Sequence, residues 1–261
     1  ERVLPMEYRF VQLKIADGIA MVIVNRPEKR NALCPQMIME LLEIFKHLDT
    51  NKDAKVVIFT GTGKTFIAGL DLEEMVSMKP PAYMEFGASM MQVAKTIREI
   101  SKPVIGVING HAFGGGNAMV MACDLVIASE KAQFGQQEIN VGIFGGAYIL
   151  PKLVGRCRAA EIVMLGESFS AQEAFKMGLV NRVVPPDQLE KEAKEIAQKL
   201  LSKSPLALKV AKKAMLAGFN YDLEMATSYQ IALMAILYGS HDQREGMEAF
   251  LAKRKPSFIG E

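Results

Sequence analysis

The stretch His111–Asp124, "HAFGGGNAMVMACD", sets three consecutive glycines in front of a run that is apolar on every side. A helix without a polar face is one buried all round, so its first turn is expected inside the molecule or at the floor of a cleft. The first amides of a helix have no intrahelical acceptor, and glycine lets another group approach the backbone closely. Gly114, Gly115 and Gly116 are therefore able to aim N–H groups at a buried negative charge. Taken alone, the triplet is equally compatible with a tight strand-to-helix turn and nothing more.

Working outward, "PVIGVING" (103–110) reads as an apolar strand feeding that turn, and "DLVIAS" (124–129) as the strand that follows the helix. Upstream, Asp17-Gly18 lies between two strand-like runs, residues 8–15 and 19–25, and suits a hairpin. Helical spacing in "MIMELLEIFKHLD" (37–49) precedes a strand, "AKVVIFTG" (54–61), and "AYMEFGASMMQVAKTIREIS" (82–101) reads as another helix. This alternation predicts an α/β architecture, a stack of strands covered by helices. From Pro185 onward only helices are expected: "DQLEKEAKEIAQKLLSK" (187–203), with Leu189, Ala193, Ile196, Ala197 and Leu200 on one stripe, then 205–217, 222–238 and 241–252.

Bulk properties narrow the function classes. The 261 residues are 50% hydrophobic and 23% charged, and 31 basic against 29 acidic side chains leave a net charge of +2. No global field favours nucleic acid or an anionic membrane. The longest apolar runs fall short of the ~20 residues of a membrane helix, so a soluble protein is expected. Three scattered cysteines without metal-ligand spacing argue against a disulfide framework or a metal site, and for the cytoplasm or another reducing compartment. Residues 1–5 read as a tag or trimmed leader.

A second glycine turn sharpens the chemistry. "GKTFIAGLDLEEM" (63–75) again follows an apolar strand and leads into a helix start, with Ala68 and Gly69 just before Leu70. Backbone donors from two such turns can pinch one carbonyl oxygen, the geometry of an oxyanion hole. Here the sequence resembles the crotonase, or enoyl-CoA hydratase/isomerase, superfamily. The resemblance runs through "NRPEKRNAL", "KTFIAGLDLEEM", residues 102–143, "SAQEAFKMGLVNRVVP" and "REGMEAFLAKRKPSF", in the superfamily's order.

The resemblance implies a spiral of repeated ββα units with a C-terminal helical trimerisation region. A core over 1–200 would hold the acyl-CoA site, and a helical region over 201–261 would support homotrimers or homohexamers. It implies a coenzyme A thioester as substrate, with no separate cofactor, and places the oxyanion donors at the amides of Leu70 and Gly115. An enolate stabilised there would make the thioester α-proton removable, and losing one such donor costs about 10²–10³ in rate.

The base is read by difference. The superfamily's hydratases carry one glutamate two residues after the glycine triplet and another about twenty residues on. The first position here is Ala118, and the second is Glu138 in "GQQEINVG". Glu138 is thus the expected catalytic carboxylate, and double-bond isomerisation the favoured reaction. Hydration or dehydration of an unsaturated or cyclic dienoyl-CoA is the alternative, and a non-catalytic acyl-CoA-binding homologue a third reading. Lys29 and Arg30 are candidate phosphate contacts, and Ala68 a substrate contact. Tyr148, in the shortened segment "FGGAYILPKLVG" (144–155) that should back the acyl pocket, is a candidate proton donor, water anchor or packing residue. Asn117 and His111 read as ordinary structural residues, and the basic run 253–255 as a solvated terminus.

Overall fold

The structure, a computed structural model, describes residues 8–261; residues 1–5, read above as a tag or leader, lie outside the described residues. Strands β1 (Val11–Ala16) and β2 (Ile19–Val24) form an antiparallel hairpin. Asp17 and Gly18 both adopt positive φ (51° and 80°), as a two-residue I′ turn requires. After α1 (Pro35–Thr50) come three strand pairs: β3 (Val56–Gly61) with β4 (Thr65–Ile67), β5 (Val104–Ile108) with β6 (His111–Phe113), and β7 (Leu125–Ser129) with β8 (Gln133–Gly135). Helices α2 (Leu72–Met75) and α3 (Pro80–Glu99) separate the first pair from the second, and α4 (Gly115–Val120) separates the second from the third. Then follow α5 (Leu150–Val154), α6 (Arg156–Leu165), β9 (Ser168–Ser170), α7 (Ala171–Lys176) and β10 (Arg182–Val184). The chain closes with α8 (Leu189–Leu201), α9 (Pro205–Asn220), α10 (Leu223–Tyr238) and α11 (His241–Leu251).

The first strand of each pair joins a six-stranded sheet ordered β1-β2-β3-β5-β7-β10, and the second joins a four-stranded sheet ordered β4-β6-β8-β9. This is the expected crotonase-like spiral of ββα turns. The strands read from periodicity, β1, β2, β3, β5 and β7, all lie in the large sheet. The second sheet escapes that reading because β4, β6 and β8, at three residues each, are too short to show an apolar period.

β3 and β5 are apolar along most of their length because parallel strands are covered on both faces. Val57 and Phe59 point into the main core with Leu41, Phe45 and Ile97, while Val56 and Ile58 point to the other face, where α8 presents Leu189, Ala193, Ile196 and Ala197. Phe59 stands edge-on to both Phe45 (5.4 Å) and Phe66 (5.1 Å), so α1, the large sheet and β4 share one aromatic contact line. On α10 Leu233 is buried, whereas Ile231, Met234, Ile236 and Tyr238 are exposed.

α9 is fastened to the core by one buried cation. Lys212 Nζ donates to Asp124 Oδ2 (2.6 Å) and to the carbonyls of Ile97 (3.1 Å) and Lys102 (3.0 Å), and Asp124 Oδ2 also accepts from Val104 N (2.7 Å). Burial pushes the Asp124 carboxyl up and the Lys212 ammonium down, and each limits the other's shift as counter-ion. Lys212→Met removes the cation and strands a buried carboxylate and two carbonyls. Chemical denaturation should show a loss of about 3–5 kcal/mol, the scale for breaking a buried pair from one side; a loss near zero would mean that Asp124 is hydrated in the native state.

Candidate active site

β4, β6 and β8 pair in parallel, with Thr65 opposite His111, Ala112 opposite Phe134 and Phe113 opposite Gly135. Their carboxyl ends lie side by side, and the segments that leave them are Ala68–Asp71, Gly114–Gly116 and Gln136–Glu138. In parallel sheets this edge is where ligands bind. A cavity of about 300 Å³ opens there, with Ala68, Leu70, Gly114, Gln137, Glu138 and Asn140 among its lining residues and Phe113, Val141 and Ile143 as apolar wall.

Two glycine turns border it. Gly69 (φ 112°) and Gly114 (φ 51°, ψ −117°) hold conformations that side chains disfavour, and each immediately precedes one of the expected donors, Leu70 and Gly115. The turns touch: a Cβ at Gly69 would lie 3.4 Å from Phe113 O, and one at Gly115 would lie 3.2 Å from Leu70 Cδ2. Leu70 forms a parallel bridge with Leu33 through Leu33 N donating to Gly69 O (2.8 Å) and Asp71 N donating to Leu33 O (2.9 Å). That bridge consumes the amides on either side of the contact and leaves Leu70 N out of it.

Three residues that sequence reasoning passed over brace this loop. Arg26 Nη1 pairs with Asp71 Oδ2 (2.8 Å) in a buried contact and donates to Ala32 O (3.2 Å). Asn31, fully buried, accepts from Arg26 N (2.8 Å) and donates to the carbonyls of Thr62 (3.1 Å) and Thr65 (2.8 Å). Burial pushes the Asp71 carboxyl up, but the hydrogen-bonded Arg26 guanidinium outweighs it and holds Asp71 below the ordinary range. The available signal was polar residues embedded in the "NRPEKRNAL" and "GLD" motifs, where solvent-facing side chains would need no fixed spacing.

Glu138 sits in a short helical turn, Gln137–Val141, directly after β8. Gly114 N donates to Gly135 O (2.9 Å), which draws this segment onto the second glycine turn. A Cβ at Gly114 would come within 2.9 Å of Glu138 Oε1, and one at Gly145 would overlap that same oxygen. The carboxylate is thus seated in a slot made by two absent side chains. Burial pushes its pKa above the ordinary carboxylate value. It is the one ionisable side chain among the described residues that line the cavity.

Ala68, Leu70 and Glu138 therefore converge on one cavity, with the Gly114–Gly115 turn at its edge. Ala118 is buried in α4, its N–H donating to Gly114 O (3.0 Å). The other candidates lie apart. Lys29 Nζ donates to Glu73 Oε2 (2.6 Å), and Arg30 lines a separate cavity with Thr62, Lys64 and His111. Tyr148, 51% exposed, is not among the residues lining the Glu138 cavity. His111 is exposed, its ring 5.2 Å from that of Phe113. Asn117 is fully buried, and its amide atoms have no hydrogen-bond partner among the described residues. Arg254 is taken up by a two-pronged contact with Glu245 (2.7 Å each).

Comparison with known proteins bears on this geometry. The sequence profile described as enoyl-CoA hydratase/isomerase matches residues 14–261. The chain is 38% identical over 258 residues to a crotonyl-CoA hydratase of Syntrophomonas wolfei, covering 97% of this chain and 99% of that protein. It is 35% identical to an (E)-benzylidenesuccinyl-CoA hydratase of Thauera aromatica, covering 96% and 99% respectively. Among solved structures, an enoyl-CoA hydratase from Bacillus anthracis superimposes with a TM-score of 0.93 at 34% identity, covering 97% of this chain and 100% of that one.

The slot around Glu138 makes Gly145 a test of the site's architecture. Its φ is not left-handed, so alanine is tolerated by the backbone and only the new Cβ matters. A crystal structure of Gly145→Ala should show the Glu138 carboxylate rotated away with the turns at Gly69 and Gly114 unmoved. Stability should fall by no more than about 1–3 kcal/mol, the scale of overpacking; a carboxylate still in place would mean that the segment 143–147 yields instead.

Proposed function

The chain belongs to the enoyl-CoA hydratase/isomerase family, and from that premise we propose that it shifts the double bond of an enoyl-CoA thioester, with Glu138 as the only proton carrier. The observation that carries this reading is the lone carboxylate in a cavity bordered by two glycine turns. With the thioester oxygen between the amides of Leu70 and Gly115, Glu138 takes a proton from the α-carbon of a 3-enoyl ester. The C–H electron pair moves into the enolate, whose oxygen the two amides hold. Return of that proton to the γ-carbon places the double bond between the α- and β-carbons. One carboxylate is sufficient for both transfers, and a pKa raised by burial suits a group that must accept and then release a proton.

A second reading is hydration of a 2-enoyl or cyclic dienoyl ester, with Glu138 handling the proton of a water. It is favoured by the hydratase names of the relatives that match almost the whole chain. Ala118 weighs against it, since it supplies no second acid. Under either reading Ala68 lies against the thioester arm, and Lys29 exchanges Glu73 for a phosphate of coenzyme A, with Arg30 as a neighbouring cation. We extend the reading to a homotrimer or homohexamer in a reducing compartment. The exposed apolar side chains of α10 and the free thiols of Cys34, Cys123 and Cys157 support it.

Product identification separates the two reactions. Given 3-pentenoyl-CoA, crotonyl-CoA and a cyclohexadienecarbonyl-CoA, the protein should convert the first to 2-pentenoyl-CoA faster than it hydrates either of the others; the reverse order selects the hydratase.

Glu138→Gln should lower turnover by about 10³-fold or more while the thioester still binds, because an amide cannot accept the proton. The same variant has a pH signature in stability. A carboxyl whose folded pKa is raised contributes stability below its unfolded pKa and loses it as pH rises through the folded value. The melting temperature of Glu138→Gln relative to the native protein should therefore rise between pH 4 and pH 8. A difference independent of pH would place Glu138 in a wetter site than the geometry implies.

Sedimentation at micromolar concentration tests the assembly. A species of three or six chains is expected, and a stable monomer would remove the claim.

A further inference from the structure

Glu138 has a neighbour that the proton transfers leave unexplained. Gln136 is the first residue after β8, is 1% exposed and lies two residues before the carboxylate. Its amide faces two oxygens. With the nitrogen toward them, Nε2 donates to Glu138 Oε2 (3.1 Å) and to Gly114 O (3.3 Å). The opposite orientation sets three acceptors against one another in a buried site, which is costly. The amide lies close against Gly146 (φ 68°), where a Cβ would overlap it. Glu138 Oε1 is the oxygen nearer to Gly114 and Gly145, with Oε2 also within 3.4 Å of a Cβ at either. The two carboxylate oxygens are thus in different surroundings.

We infer that Gln136 is a positioning residue for the reaction: it holds Glu138 by Oε2, leaves Oε1 for the substrate proton, and ties the base to the carbonyl of the turn that carries Gly115. The inference rests on the proposed role of Glu138 as base. Its logic is that of any base oriented by a third group, since a carboxylate free to rotate spends its time out of line with the C–H bond. The same bond has an electrostatic effect. A donor to the carboxylate favours the charged form and opposes burial, so Gln136 keeps Glu138 ionised at lower pH than the cavity alone would allow. Other charges are poorly placed to do this. α6, packed on the same segment, carries Arg156, Arg158 and Glu161, of which the last two pair with each other, and none lines the cavity.

The test uses a step common to isomerisation and hydration, exchange of the α-protons of butyryl-CoA in D₂O, followed by NMR from pH 5 to 9. The C–H bond breaks to Glu138, the electron pair rests in the enolate, and deuterium acquired from solvent returns. In Gln136→Leu the plateau rate should fall about 10- to 100-fold, the cost of lost alignment. The acid limb of its profile should rise by about one pH unit, while butyryl-CoA affinity by calorimetry stays within about threefold. In Gln136→Glu a protonated carboxyl donates the same bond only at low pH, and ionisation above that sets two carboxylates together. Its exchange should therefore decline over the range where the native rate climbs. Glu138→Gln, run beside them, should bind butyryl-CoA and exchange nothing measurable. An inactive Glu138→Gln with a native plateau and limb in Gln136→Leu overturns the positioning role and leaves the base intact. An active Glu138→Gln overturns both. Should Gln136→Leu not fold, Gln136→Glu decides alone, a native profile there being the overturning result.

Discussion

The parallel pairing of β4, β6 and β8 is the constraint on which the site depends. Each of these strands contributes at most three residues to its sheet, and each ends at the same edge. A peptide turned outward by a positive-φ glycine can share an anion with another only if the second turn lies within a few ångströms of it, and strand register is what sets that separation. The close approach of Gly69 to Phe113 O and the bond from Gly114 N to Gly135 O are consequences of this pairing. The large sheet and its helices supply a rigid back to it through Phe45, Phe59 and Phe66. Rigidity has a use here, since a misplacement of about 1 Å can cost about 10²-fold in rate.

Two carboxylates near the cavity show how environment divides labour. Asp71 and Glu138 are the same functional group, and burial raises the pKa of both. Asp71 faces Arg26 and is drawn back below the ordinary range, so it stays charged and works as a brace for the loop of Leu70. Glu138 faces glycines and an amide, with no cation among the described residues to offset the loss of water, and its proton affinity rises. Environments that push two acids apart in this way assign one to structure and one to proton transfer. The low dielectric that lifts Glu138 also strengthens whatever the free amides hold.

The same economy governs the C-terminal helices. α8 covers the second face of the large sheet with an ordinary apolar stripe, whereas α9 is fixed through Lys212 by an ion pair and two carbonyls. A cation in that position is sensitive to geometry in a way that an apolar contact is not, and it fixes the orientation of α9 against α3 and β5. On α10 Leu233 is the one buried residue, and Ile231, Met234, Ile236 and Tyr238 are exposed.

Residue chemistry and local periodicity carried much of this into the sequence. Asp17-Gly18 signals a hairpin because few other pairs adopt two positive φ values in succession, and the stripe from Leu189 to Leu200 signals a covered helix because its spacing has a period. Gly69, Gly114 and Glu138 were legible as chemistry, since backbone freedom and a proton acceptor are properties of the residue itself. What brings them together was not. β4, β6 and β8 are shorter than any apolar period, so a second sheet left no trace in the pattern. Lys212 finds Asp124 88 positions away, and Arg26 finds Asp71 across two loops. Gln136 reads as one glutamine of two until packing turns its amide onto Glu138. Composition and spacing determine which groups are available and which segments bury them. Which groups meet, and with what pKa, depends on strand register and on the water excluded when the sheets close, and both exist only in the folded chain.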